Sequence, residues 1–358
     1  ALLCGRYVML GMYNTSADGN LIKDILGVDA LRPEWTSANR AGVEKAPSFQ
    51  WLLEIKHVID QHTIELTRPL IRDIDMIYAP VLYNVPMLEH VVIRDLKISS
   101  AWNGLFHHHG LPLYYSVEQS QEMDYGWNAI NMKRVAHGIV NNVHIRNFTN
   151  PLYVMDSRNI SVGHILIDGY DGHQGLKIYQ HACDNLFYDI EFRAHFADMM
   201  GGEGNAYANV FHHIKYLNPL FNPVGFDFHG FSEGPMSPPA YNIFDDVEGF
   251  AHIQSAAGID MLPGCAQHNR WVNIVTEGEK KGTPLFLDLS YKPKTGLFRY
   301  IHAAGYTVAM ALRSSRLDIL SSYRQKLRDM DAIAIDPQEH KRFFVNAKLE
   351  NVTTTCRM

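Results

Sequence analysis

Between residues 140 and 275 the chain repeats one phrase, an asparagine followed by apolar residues alternating with polar ones. The copies are Asn142-Val-His-Ile, Asn159-Ile-Ser-Val, Asn185-Leu-Phe-Tyr-Asp-Ile, Asn209-Val-Phe-His-His-Ile, Asn242-Ile-Phe-Asp-Asp-Val and a degraded Asn269-Arg-Trp-Val-Asn-Ile. Their uneven spacing does not suit a helical repeat array but does suit a solenoid whose turns absorb insertions. Each run makes one short strand with one face inward and one outward, and such a strand cannot bury its apolar face alone. Stacking coils about 4.8 Å apart pairs each strand with those above and below and closes one continuous core. The pattern predicts an all-β fold, a right-handed parallel β-helix with loop insertions and a C-terminal cap. Asparagines at equivalent places then form a ladder along the stack. An antiparallel sandwich with Asn in its turns is the alternative, and the lack of Asn-Gly or Asp-Gly hairpin signals between the runs speaks against it.

A second set of runs lies between the first: Ala129–Lys133, Leu152–Asp156, Leu176–His181, Ala197–Gly201 and Val224–His229. With Ile130, Val154, Ile178, Met199 and Phe226 inward, period-two alternation sends their neighbours outward. The outer face then carries Asn131, Lys133, Tyr153, Lys177, Tyr179, His181, Asp198, Asp227 and His229, stacked by consecutive coils into one strip.

A chain of 358 residues exceeds the usual single-domain size, yet solenoids grow by adding coils and need no second core. One domain is expected over 1–358, with a lead-in segment and N-terminal cap at 1–60, coils at 61–278, and C-terminal coils and cap at 279–358. Trp51–Lys56, Thr63–Leu66 and Val91–Ile98 read as the first coil strands. A net charge of −6 argues against a nucleic-acid surface, although a local basic patch can still hold an anionic sugar. The four cysteines lie far apart, with no C-x-x-C metal spacing and no disulfide framework. No run approaches the roughly 20 apolar residues that cross a bilayer, so no membrane partner is expected. The start at Ala1-Leu-Leu-Cys4 shows no complete signal peptide, which does not settle location; a secreted or periplasmic setting is the expectation. Two stretches break the repeat, the aromatic segment Ala101–Gly126 and the proline-rich Gly230–Ala240. Long loops leaving a solenoid are where binding walls are built, and both are expected to flank one cleft.

The Asn-headed repeats and the outward polar strip resemble the pectate-lyase-like right-handed β-helix superfamily over roughly residues 60–278. The likeness is architectural: the paired aspartates and Gly-His-Gly of polygalacturonases are missing as a set, and no acidic calcium cluster of the pectate lyase kind is evident. The superfamily implies action on polysaccharides or oligosaccharides but holds lyases, hydrolases, epimerases, esterases and phage tail spikes, and a fold alone does not choose among them.

The residues themselves suggest a reaction. A lyase must neutralise a uronate carboxylate, remove the adjacent proton and protonate the leaving oxygen, work for Lys or Arg together with Tyr, His or Lys. Lys177, Tyr179 and His181 supply those types on one strand face, with Lys133 adding charge. A hydrolase instead needs two carboxyls, for which Asp198 and Asp227 are the candidates, with His229 beside them and Glu203 in a nearby loop. Asn131, Tyr153, Trp102, His108 and Tyr115 are candidate substrate contacts, the aromatics by stacking on sugar rings. A third possibility is a glycan-binding or tail-spike-like module without catalysis. No cofactor is called for by these groups, and no spacing matches a metal motif, with a divalent cation such as calcium left open. The leading expectation is β-elimination of an acidic polysaccharide, with a glycoside hydrolase as runner-up.

Overall fold

The computed structural model describes residues 5–16, 19–26, 49–106, 126–217, 224–229, 239, 241–248, 252–254, 270–275 and 286–288. Two structural bodies are built from them. The first is an antiparallel sheet of β1 (Tyr7–Met12), β2 (Phe49–Val58), β3 (Ile64–Leu66) and β4 (Val81–Asn84), in the order β3-β2-β1-β4. A short helix, α1 (Asn20–Leu26), and a 3-10 turn at Met76–Tyr78 lie between its strands. Trp51–Lys56 therefore belongs to an antiparallel pairing with β1 and not to a coil. The reading of residues 51–66 as early coils fails because alternation reports a buried face, not the direction of the neighbouring strand.

The second body is the parallel β-helix. A short strand β5 (Leu88–Glu89) leads into β6 (Val92–Ser99). There follow β7 (Asn128–Lys133), β8 (Val135–Ala136), β9 (Ile139–Arg146), β10 (Asn150–Met155), β11 (Ser161–Asp168), β12 (Gly172–Tyr179), β13 (Leu186–Phe192) and β14 (Phe196–Glu203). The succession continues with β15 (Val210–Tyr216), β16 (Val224–His229), β17 (Ile243–Glu248), β18 (His252–Gln254), β19 (Arg270–Val275) and β20 (Phe286–Asp288). Alternate strands fall into two seven-stranded parallel sheets. The front sheet runs β7-β10-β12-β14-β16-β18-β20 and the back sheet β6-β9-β11-β13-β15-β17-β19. A narrow third ladder joins β5 to β8 and carries on through single bridges Ala136–Arg158–Cys183–Tyr207.

Why the chain turns where it does is visible in its backbone. Six of the back-sheet strands, β6 to β17, are bent at one left-handed residue each: Asp95, Asn142, His164, Asp189, His213 and Asp246, with φ between 49° and 58°. The ladder pairs the residues on either side of these positions, as in Gly163↔Tyr188 and Ile165↔Ile190. A left-handed residue turns the strand around the core, so Val140 and Val143, three apart, both point inward, as do Phe187 and Ile190. All six are Asp, Asn or His, the non-glycine types that tolerate this conformation best. Two more such columns mark the corners of the third ladder, Arg134–Asp156–Gln180–Gly204 and His90–His137–Asn159–Asp184–Ala208–Tyr241.

The core is a set of stacked columns. In the front sheet Ile130, Leu152, Leu176 and Met200 are in register, and in the back sheet Phe187, Phe211 and Phe244 are. Those three rings stack at 4.7 Å with interplanar angles of 13° and 16°. Each buried aromatic or aliphatic side chain contributes about 1.5–3 kcal/mol of transfer free energy, and the coil cannot gain it without its neighbours.

The asparagine ladder forms, but from three of the predicted members. Asn185 Nδ2 donates to Asn209 Oδ1 at 2.8 Å, and Asn209 Nδ2 donates to Asn242 Oδ1 at 3.0 Å. The backbone N–H groups of Ile160, Asn185 and Asn209 donate to the next asparagine oxygen along. Asn159 sits one residue earlier, in the corner column, and bonds Glu54 instead. Asn142 stands in the back-sheet bend and bonds Asp95 at 2.8 Å. The same letter thus answers two different demands, side-chain amide pairing and left-handed φ. The degraded copy's Asn269 lies outside the described residues.

The antiparallel sheet docks on the third ladder. The Leu52 carbonyl accepts from Arg158, Cys183 and Tyr207, one residue from each of three successive coils. Glu54, fully buried, accepts from Arg6 (2.6 Å to Nη2), lies 3.2 Å from His137 Nε2, and accepts from Asn159 Nδ2 at 3.3 Å. Arg158 in turn reaches Asp184 at 2.9 Å, and Arg68 pairs with the same carboxylate. Beyond β20 the C-terminal region, including the expected cap, lies outside the described residues.

Candidate functional site

On the outer face of the front sheet the register brings Asn131, Tyr153 and Lys177 into one column and Lys133, Met155 and Tyr179 into the next. The backbone register carries the first on to Gly201 and Asp227 and the second to Glu203 and His229. Lys177 and Tyr179 therefore stand side by side on β12, as their i, i+2 spacing predicts. The Lys177 ammonium lies 5.2 Å from the centre of the Tyr179 ring. Lys133, two coils earlier, shares the column of Tyr179 and is exposed. Lys177 is only 6% exposed, so its charge is held against the sheet and is not spread into solvent.

His181 does not continue the strand face as alternation suggests. The strand ends at Tyr179, Gln180 adopts φ 53°, and the chain turns before His181. Its Nδ1 lies 2.6 Å from Asp156 Oδ1, which belongs to the preceding coil. Asp156 follows β10 in the same left-handed column as Arg134 and Gln180. The Gln180 amide, turned with its nitrogen toward the carboxylate, donates to Asp156 Oδ2 at 3.1 Å and Oδ1 at 3.3 Å. Burial pushes the Asp156 carboxyl up, but the hydrogen bonds and charge of His181 and the charge of Arg134 outweigh it and hold it below its usual value. From the antiparallel sheet, Tyr83 comes close enough that burial and the Asp156 charge push its hydroxyl up, while that hydroxyl donates to Gln50 Oε1.

Asp156, Arg134, Gln180 and Tyr83 were not singled out as site residues from the sequence. The first three do carry a signal: each immediately follows the last residue of a front-sheet strand, where the coil must turn, and two of them are charged.

Other candidates fall elsewhere. The Tyr153 hydroxyl lies 2.8 Å from Asn150 Oδ1 and within hydrogen-bond reach of Gln174 Oε1, either of which can take its one proton, and this ties it down along the sheet. Asn131 is exposed beside it. Trp102 is buried, packing edge-on against Tyr170 at 5.9 Å. It anchors its loop and offers no face to a sugar. Met200, not Met199, lines up with Leu176 and Phe226, although both methionines are buried. This one-residue slip moves Asp198 into register with Gln174 and Val224, while Asp227 pairs with Gly201. The two aspartates are thus three residues apart along the strand direction, about 10 Å at the usual rise, and do not share a column. Asp198 Oδ2 instead lies 3.9 Å from the buried His173 Nε2. Glu203 and His229 are register partners on β14 and β16. His108 and Tyr115 lie outside the described residues, as do most of the two insertions; those insertions leave from opposite ends of front-sheet strands, before β7 and after β16.

Among the described residues no group of three or more His, Cys, Asp or Glu is arranged to hold a metal ion, and no helix is long and apolar enough to cross a membrane. Fold and surface define a parallel β-helix protein with a cationic, tyrosine- and histidine-bearing patch on one sheet. No family model, curated protein or solved structure matches the chain.

Proposed function

We propose that the protein cleaves an acidic, uronate-containing polysaccharide by β-elimination on the outer face of the front sheet, as a secreted or periplasmic enzyme of pectate-lyase-like type. What supports the reading most is the Lys177–Tyr179 contact on β12 with Lys133 in the column of Tyr179, followed two residues on by His181 held by Asp156, which Arg134 also faces.

In this reading the cations Lys177 and Lys133 neutralise the uronate carboxylate, which acidifies the neighbouring C–H and stabilises the enolate-like charge that develops. His181 Nε2, free of the Asp156 contact at Nδ1, takes that proton. The electron pair becomes the new C=C bond as the bond from carbon to the leaving glycosidic oxygen breaks, and the Tyr179 hydroxyl protonates that oxygen. His181 then returns a proton to Tyr179 through solvent. No water is consumed and no oxidant is required.

A panel of acidic and neutral polysaccharides tests this, reading ultraviolet absorbance of unsaturated ends beside reducing ends. The expected result is absorbance growth on a uronate polymer, lost in Lys177→Ala. Reducing ends without absorbance would move the assignment to hydrolysis, and no cleavage with retained binding would leave a glycan-binding module.

A further inference from the structure

We propose that Asp156 is a positioning residue: it fixes the tautomer and ring orientation of His181 across a coil boundary, leaving Nε2 as the proton acceptor toward the front-sheet patch. The inference rests on the elimination reading for its kinetic consequence, but its structural content stands on geometry alone.

Asp156 is buried and stands among donors. His181 Nδ1 is 2.6 Å from its Oδ1, the Gln180 amide donates to both of its oxygens, and the Arg134 guanidinium of the preceding coil faces it. Tyr83 approaches from the antiparallel sheet, with its hydroxyl directed to Gln50. Tyr179, Lys177 and Lys133 complete the charged and titratable surroundings. An ionised carboxylate only accepts hydrogen bonds, so it dictates that the histidine nitrogen facing it carries the proton. A neutral imidazole then has its lone pair on Nε2. The coil geometry makes this possible. Asp156 (φ 47°) and Gln180 (φ 53°) occupy the same left-handed corner position in consecutive coils, one stacked above the other. That places the residue after Gln180 over the carboxylate below.

Asp156→Asn is the discriminating substitution. Asparagine tolerates the left-handed conformation and matches aspartate in size, so the corner is retained. Its amide, however, presents a donor as readily as an acceptor. With Nδ2 toward the ring, His181 becomes protonated on Nε2 and the acceptor is lost. Nitrogen-15 NMR of the full chain with labelled histidine reports the His181 tautomer directly, with His181→Gln assigning the signal. In the wild type the Nδ1–H form is expected; in Asp156→Asn the Nε2–H form or a mixture. Turnover should fall by about 10²-fold or more with KM little changed, and Asp156→Glu should regain part of it. A wild-type Nε2–H tautomer, or an unchanged tautomer in Asp156→Asn, would overturn the proposal whatever the activity. If the tautomer shifts as expected but no wild-type lyase activity exists, the positioning role stands and the elimination reading alone is lost.

Discussion

The roles of single residues in this protein are decided as much by backbone conformation as by chemistry. Tyr179, on the outer face of β12, and His181, in the turn after it, are both partly exposed, so Tyr179→Phe and His181→Ala should each reduce turnover by about two orders of magnitude or more while leaving the thermal midpoint within a few degrees. A matched loss of folding, followed by circular dichroism, would show them to be structural. Asn209 gives the opposite expectation. It donates to Asn242 and to the carbonyls of Ala182 and Tyr207, and accepts from both nitrogens of Asn185. Asn209→Ala strands several buried partners, each costing about 1–3 kcal/mol, and should lower stability by about 3 kcal/mol or more in urea unfolding. A loss below about 1 kcal/mol would mean that the ladder is a consequence of stacking and contributes little to it. The sequence marked this asparagine correctly because its demand is local to one repeat position. It could not separate Asn142 and Asn159 from the ladder, since left-handed φ and amide pairing select the same residue type.

At the scale of an element, the back-sheet bend sets both shape and pH response. Gly163 lies under Tyr188, where an added Cβ would sit 2.1 Å from the ring; the Tyr188 hydroxyl meanwhile accepts from Asn141 at 3.1 Å across that gap. Gly163→Ala should therefore destabilise the stack by about 1–3 kcal/mol, and Tyr188→Phe should not relieve it, whereas Tyr188→Ala should. Along the bend His213 bonds Asp189, and His164 lies 3.5 Å from the same carboxylate. The hydrogen bond to Asp189 raises the His213 pKa despite burial. Its contribution is therefore complete below the unfolded histidine value of about 6.5 and is lost as pH rises through the raised folded value. Burial pushes Asp189 up, but the bond to His213 and the charges of His213, His164 and His212 outweigh it and hold it low. That contribution is present above the unfolded value of about 3.9 and disappears as pH falls through the lowered folded value. The pair stabilises most between roughly pH 4 and 6.5. Thermal midpoints measured across mildly acidic to mildly alkaline pH should fall more steeply in the wild type than in His213→Asn, a replacement that keeps the left-handed position; parallel slopes would remove the pair from the account. The front-sheet strand pairings were legible from period-two alternation, but the slip at Met199 and Met200 was not. Both are apolar and buried, so the pattern held no phase information there, and with it went the supposed Asp198–Asp227 strip.

In the whole molecule the two bodies are joined by polar locks and by one apolar cluster in which Ala136, Cys183 and Tyr207 of the coils pack with the antiparallel sheet. The antiparallel sheet was misread as coils because the largely apolar run Trp51–Ile55, buried along its length, reads as a strand whatever its neighbour; only the partner direction differs, and that is fixed by residues distant in sequence. Glu54 has its charge answered by Arg6, His137 and Arg158 in a fully buried setting. Removing one member of a buried ionic network leaves uncompensated charge, worth about 3–5 kcal/mol. Glu54→Ala should therefore loosen the sheet from the coils, read as faster hydrogen exchange across β1 and β2 with β9, β11 and β13 unchanged. Uniform loss of protection throughout would mean that the two bodies fold as one cooperative unit.

The central claim, an elimination carried out on the front sheet, is met most directly by digesting the responsive uronate polymer in heavy-oxygen water and weighing the products. Elimination predicts unsaturated fragments that carry no heavy oxygen at the cleaved ends and that vanish with Tyr179→Phe. Saturated fragments with one heavy oxygen per cleaved bond, carried at the new reducing end, would contradict it.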